Sequence, residues 1–113
     1  MAAGIVQIPW YATGFRGNDL SEALERISAL SLRYGARSHV VYRARDDRYK
    51  FLQVIEFENK LDWERYWQGP DLIAFRIECS GWYQVPVVYA WHDVVCAGSG
   101  PEMIAAATEG ASA

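Results

Sequence analysis

Only two side chains in this sequence, His39 and His92, change charge near neutrality without strong perturbation, so simple proton transfer falls to them first. His92 follows the bulky run Val87-Val88-Tyr89-Ala90-Trp91. On a strand with apolar neighbours it is the catalytic-base candidate, provided its ring opens onto a pocket. Two histidines with no carboxylate cluster beside them form a poor metal set, and no metal site is expected. Cys79 and Cys96 belong to no C-x-x-C or C-x-x-H arrangement and read as reduced thiols. The phosphate-binding loop, the dinucleotide glycine pattern and the nucleophile elbow are all absent. Asp46-Asp47 reads as a turn, and Asp62 with Glu64 as a solvated helix face.

These residues must be positioned by a single compact domain, because 113 residues are too few for two cores. Five Trp, seven Tyr and four Phe argue for a substantial buried interior and against disorder. A net charge of −3 offers no positive field for nucleic-acid phosphates, so no nucleic-acid partner is expected. Met1 to Tyr11 lacks the basic and apolar regions of a secretory leader, and Val85 to Trp91 is too short to span a membrane. The expectation is a cytoplasmic domain with no membrane partner.

Gly4 to Tyr11 reads as a first strand. Asp19, three residues before Glu22, suggests a capping box. Leu20, Ala23, Leu24, Ile27, Leu30 and Tyr34 then form one apolar helical stripe, with Glu22 and Arg26 paired outside it and Gly35 as the stop. Arg37 to Arg45 and Tyr49 to Glu58 read as a hairpin around Asp46-Asp47. With an even-length turn, Val40, Tyr42 and Ala44 share a face with Tyr49, Phe51, Gln53, Ile55 and Phe57. His39, Val41, Arg43 and Arg45 then fall on the other face with Lys50, Leu52, Val54 and Glu56. A three-residue loop would reverse this assignment. Asn59 caps a second helix, which Gly69-Pro70 breaks in two and Gly81 closes. Gln84 to Val95 reads as a long final strand, with Pro86 favouring an edge or bulge. Residues 1–96 form the expected domain and 97–113 a flexible or loosely docked tail.

The order βαββαβ is the α+β, ferredoxin-like arrangement, a four-stranded antiparallel sheet with helices on one face. Apolar residues remain on the other face, which points to a homodimer closed through that open face.

Tyr34-Gly35, the stretch Tyr49-Lys50-Phe51-Leu52-Gln53-Val54-Ile55-Glu56-Phe57, the helix Trp63-Glu64-Arg65-Tyr66-Trp67 and Gly69-Pro70-Asp71-Leu72 carry a further resemblance. From Ile5 to Val95 the pattern resembles the dimeric α/β-barrel superfamily, and within it the antibiotic biosynthesis monooxygenase group. The resemblance implies oxidation of a small aromatic or quinol-like substrate with O2, without metal or flavin, in a dry pocket between sheet and helices. Such a pocket needs aromatic walls and a few polar groups. Tyr42 and Gln53 are the polar members of the expected apolar hairpin face. Trp67 and Phe75 lie on the covering helices, and Trp91 joins them as a pocket candidate.

Trp67 also resembles the helix Trp that lies beside haem in a haem-degrading subgroup. That subgroup's axial His has no counterpart, since Asp71 to Cys79 contains none, and its first-strand Asn is replaced by the region Gln7-Ile8-Pro9. No cofactor is therefore expected. The alternative is a non-catalytic dimeric barrel that binds a small hydrophobic ligand or serves as an assembly module.

Overall fold

The computed structural model describes residues 3–101. Strands β1 (Gly4–Tyr11), β2 (Ala36–Arg43), β3 (Lys50–Phe57) and β4 (Ala90–His92) alternate with helices α1 (Gly17–Leu30), α2 (Lys60–Trp67) and α3 (Pro70–Glu78). The strands pair antiparallel in the order β2-β3-β1-β4. This is the expected ferredoxin-like α+β fold, with His39 and His92 on opposite edge strands.

Local chemistry sets most of these boundaries. Asn59 Oδ1 accepts a hydrogen bond from the Asp62 N–H at 3.0 Å and so caps α2. Pro70, which has no N–H to satisfy, occupies the first turn of α3 and separates it from α2. A 3-10 turn, Ser31–Tyr34, extends α1 and ends at Gly35, whose φ of 97° is open to glycine at little cost. The start of α1 departs from expectation. The helix begins at Gly17 without a side-chain cap, and Asp19 instead accepts from Arg16 at 2.9 Å. Arg26 approaches Glu78 of α3 rather than Glu22, because the packing of α1 on α3 supplies a carboxylate from a different element.

The core lies between the sheet and the helices. Val6, Ile8 and Trp10 of β1 alternate inward, as do Phe51, Gln53, Ile55 and Phe57 of β3. Leu20, Ala23, Leu24 and Ile27 of the apolar stripe pack onto them, with Trp63, Tyr66, Leu72 and Phe75 from α2 and α3. Directly paired residues of an antiparallel ladder share a face, so pairing determines what joins this core.

That rule corrects the hairpin. His39 pairs with Ile55, Val41 with Gln53 and Arg43 with Phe51, so His39, Val41 and Arg43 lie on the helix side. Val40 pairs with Val54 and Tyr42 with Leu52, which places Val40 and Tyr42 on the open side. The inward parity of β3 agrees with the sequence reading, whereas that of β2 is reversed. The cause is the connection. The Ala44 N–H donates to the Lys50 carbonyl and the Lys50 N–H to the Asp47 carbonyl, which builds a longer, odd-numbered loop in place of a two-residue turn.

The final strand is also shorter than expected. Only Ala90–His92 pairs as a strand with β1, preceded by an isolated bridge between Ala12 and Tyr83 and a bond from the Gln84 N–H to the Tyr11 carbonyl. Between them Pro86 has no N–H to give a ladder, and Val85, Val88 and Tyr89 are exposed. Gly4 makes room for the end of this strand. A Cβ there would collide with the Trp91 ring. From Ala97 to Gly100 the chain is exposed and without regular structure, and residues 102–113 of the expected tail lie outside the described residues. No helix among the described residues is long and apolar enough to cross a membrane.

Candidate functional site

The fold separates the six residues singled out in the sequence. Gln53, Trp67, Phe75 and Trp91 lie on the helix side, and Tyr42 and His92 on the open side. The division at β4 follows from pairing, since Trp91 faces the buried Val6 and His92 faces Ile5. His92 and Trp67 therefore do not meet across one pocket.

The centre of the helix side is filled. Trp10 is its hub, with ring centroids 6.1 Å from Trp67, 5.6 Å from Phe75 and 4.9 Å from Tyr83. Trp67 also stacks on Trp63 at 5.1 Å and meets Tyr89 at 5.2 Å. Gln53 is buried within this packing and its amide is fully engaged. Its Oε1 accepts from Trp10 Nε1 at 2.9 Å, while its Nε2 donates to Ser28 Oγ at 2.8 Å and to the Tyr66 hydroxyl at 3.3 Å. Tyr66 in turn donates to the Ile27 carbonyl at 2.7 Å, and burial raises its pKa well above the usual phenol range. A network with every member paired stabilises a core and leaves no free polar group for a ligand. Cys79 is buried too, and loss of solvent pushes its thiol up to about 11, which makes it unreactive at neutral pH.

The open side presents Ile5, Gln7, Val40, Tyr42, Leu52, Val54 and Glu56, with His92 at the β4 edge. Tyr42 is 57 % exposed there. His92 Nδ1 is buried and has no hydrogen-bond partner among the described residues.

Space remains on the helix side at the β2 edge. A cleft of about 310 Å³ runs between α1 and β2, lined by Ser21, Glu25, Ser28, His39, Val40, Val41, Arg43 and Phe51. Ser21, Glu25 and Ser28 stand at i, i+4 and i+7, so one face of α1 supplies them. Phe51 and Val41 form the apolar wall. The Arg43 guanidinium sits 5.0 Å over the Phe51 ring, with Nε donating to the Arg48 carbonyl at 2.6 Å and Nη1 to Asn18 Oδ1 at 3.0 Å. Burial, and then the nearby Arg48 charge, lower the pKa of Arg43. The arrangement brings to one cleft a proton acceptor in His39 and a fixed cation, over an apolar wall in which the Phe51 ring is itself buried beneath Arg43. Sequence reasoning placed His39 and Arg43 on the opposite face, and the only signal that could have moved them was the length of the loop around Asp46-Asp47. Among the described residues no group of three or more potential ligands could hold a metal ion.

No family model and no curated protein matches this sequence. Solved structures do match its fold. A provisionally assigned antibiotic biosynthesis monooxygenase from Nitrosomonas europaea superposes with a TM-score of 0.74 at 13% identity, over 82% of this chain and 90% of that one. SnoaB, a cofactor-independent oxygenase from Streptomyces nogalater, gives 0.74 at 11% identity, over 86% and 97%. The Rv0793 protein of Mycobacterium tuberculosis gives 0.73 at 13%, over 87% and 100%. The chain therefore shares its ferredoxin-like α+β fold with these three proteins.

Proposed function

We propose that this chain oxidises a small aromatic or quinol-like molecule with O2, without a bound cofactor, in the cleft between α1 and β2. The observation that carries this reading is that His39, Phe51 and Arg43 line one cleft of about 310 Å³, a volume suited to a small ligand. Phe51 and Val41 receive the ring, and His39 accepts the proton whose loss makes the substrate electron-rich. The Arg43 guanidinium, which lines the same cleft, stabilises the anion that forms. For a ring carbon bearing two hydrogens the balance closes with O2 alone. The carbon supplies the electrons, one oxygen becomes the carbonyl and the other leaves as water. The shared fold with SnoaB supports this chemistry.

The catalytic candidate thus moves from His92 to His39, while His92 and Tyr42 go to the open face. That face is proposed to meet a second copy of the chain, because Val40, Leu52 and Val54 would otherwise leave an apolar sheet surface in water. Val54→Asp is expected to convert a sedimenting dimer into a monomer, and a wild-type monomer at micromolar concentration removes the dimer from the proposal.

Oxygen uptake with naphthol and quinol probes tests the activity. The expected result is uptake above the uncatalysed background, reduced about 100-fold by His39→Ala and unchanged by His92→Ala. The second reading, a non-catalytic barrel, is favoured by the filled interior around Gln53, Trp67 and Phe75. Uptake that never exceeds background selects it.

A further inference from the structure

We infer that the molecule this cleft takes is an aromatic anion, a ring bearing a carboxylate or phenolate oxygen that Arg43 holds. The inference rests on the cleft proposed above and extends it to the charge of the substrate.

Arg43 is a cation without an acid. Among the described residues Arg43 and Arg48, like Arg33, Arg45 and Arg76, have no carboxylate within ion-pairing distance, whereas Arg16, Arg26, Arg37 and Arg65 each do; of the five, Arg43 is the one that lines the cleft. Its guanidinium is nevertheless fixed, by the Arg48 carbonyl, by Asn18 Oδ1 and by the face of Phe51. With Nε and one Nη1 hydrogen given to neutral oxygens, Nη2 and the second Nη1 hydrogen remain for an anionic oxygen, and a guanidinium already held in place loses little freedom on binding one. Arg43 also lines a second depression, of about 240 Å³, together with Phe15, Gly17, Asn18, Arg48 and Tyr49. Two arginines therefore border this second depression, which meets the cleft at Arg43, and after burial the Arg48 charge contributes to the lowered pKa of Arg43. An anion would offset that charge.

The cleft is also polar along its length. Asn18, which binds Arg43, precedes Glu25 by two turns of α1, about 10 Å along the helix axis. An anionic oxygen is drawn to the Arg43 end and repelled from the Glu25 end. The ring then lies over Phe51 and Val41, with its far side toward Glu25 and His39.

The test compares 1-naphthoate with 1-naphthamide, which share a ring and differ in charge, by calorimetry and by amide chemical-shift mapping. Wild type is expected to bind the naphthoate roughly tenfold more tightly, with a preference that shrinks at high salt. Shifts should centre on residues 39–43 and 51. Arg43→Gln should abolish the preference while retaining the amide's affinity, and Arg43→Lys should keep part of it. Salt dependence on the wild type provides a readout even if an Arg43 variant folds poorly. Equal affinities for the two probes, or shifts on the open sheet face, overturn the inference. Naphthoate binding that depends on Arg43, in a protein without oxygen uptake, sustains the anion site and removes the oxygenase reading. Uptake with neutral quinols and no charge preference does the reverse.

Discussion

The two ends of the helix-covered side of the sheet differ in how their polar groups are treated. At the β1–β3 centre, Gln53 is surrounded by Trp10, Ser28 and Tyr66, and its amide is fully engaged. At the β2 edge, His39 and Arg43 line a cleft, with Arg43 tied only to neutral oxygens. Ser28 contributes to both regions, bonding Gln53 inward and lining the cleft outward. A polar residue on an apolar face is thus a weak sign of a site until its partners are known. Satisfied, it stabilises the fold; open, it can meet a ligand.

Substitution should separate the two regions by what each one loses. The largest effect is expected for Gln53→Met, which keeps the volume but strands the Trp10 N–H in the core, at a cost of about 3 kcal/mol. A urea titration measures it, and a cost near zero would mean the centre is loosely packed and able to open.

Tyr66→Phe should cost about 1.5 kcal/mol at neutral pH through loss of the bond to the Ile27 carbonyl. Its pH dependence sharpens the comparison. Because burial raises the Tyr66 pKa above its ordinary value of 10.0, the native state holds a proton that the unfolded chain releases. That stability is fully present below about pH 10 and is lost as pH rises further. Thermal melts of the two proteins should therefore converge above pH 10, and a gap constant with pH would show that Tyr66 is not sealed.

The smallest stability effect belongs to the cleft. His39→Ala should shift the melting free energy by less than about 0.5 kcal/mol, as for an exposed side chain, even as it removes oxygen uptake. A large loss of stability with unchanged uptake would place His39 in the structural class with Gln53.

The open face differs from both in that, among the described residues, no helix covers its apolar side chains. His92 belongs there, with a buried Nδ1 that has no partner among the described residues.

Much of the molecule is legible from local sequence. The α1 stripe, the Asn59 cap, the break at Gly69-Pro70 and the left-handed Gly35 each depend on residues within a turn of one another, so their types and spacing suffice. The order βαββαβ follows from them. The inward parity of β3 is equally local, since Phe51, Ile55 and Phe57 alternate on one strand.

The site is a different matter, because it depends on relations between strands. One residue in the length of the loop after β2 exchanges every side chain between the faces, taking Tyr42 out and bringing His39 and Arg43 in. Pro86 looks compatible with a long last strand, yet only Ala90–His92 finds a partner, and its register with β1 sends Trp91 inward and His92 to the open side. The amino-acid sequence by itself determined which elements form and which faces are apolar, because those are short-range properties of propensity and periodicity. Tertiary structure alone decided which polar residues are satisfied in the core and which line a cleft, because that is a matter of register between distant segments.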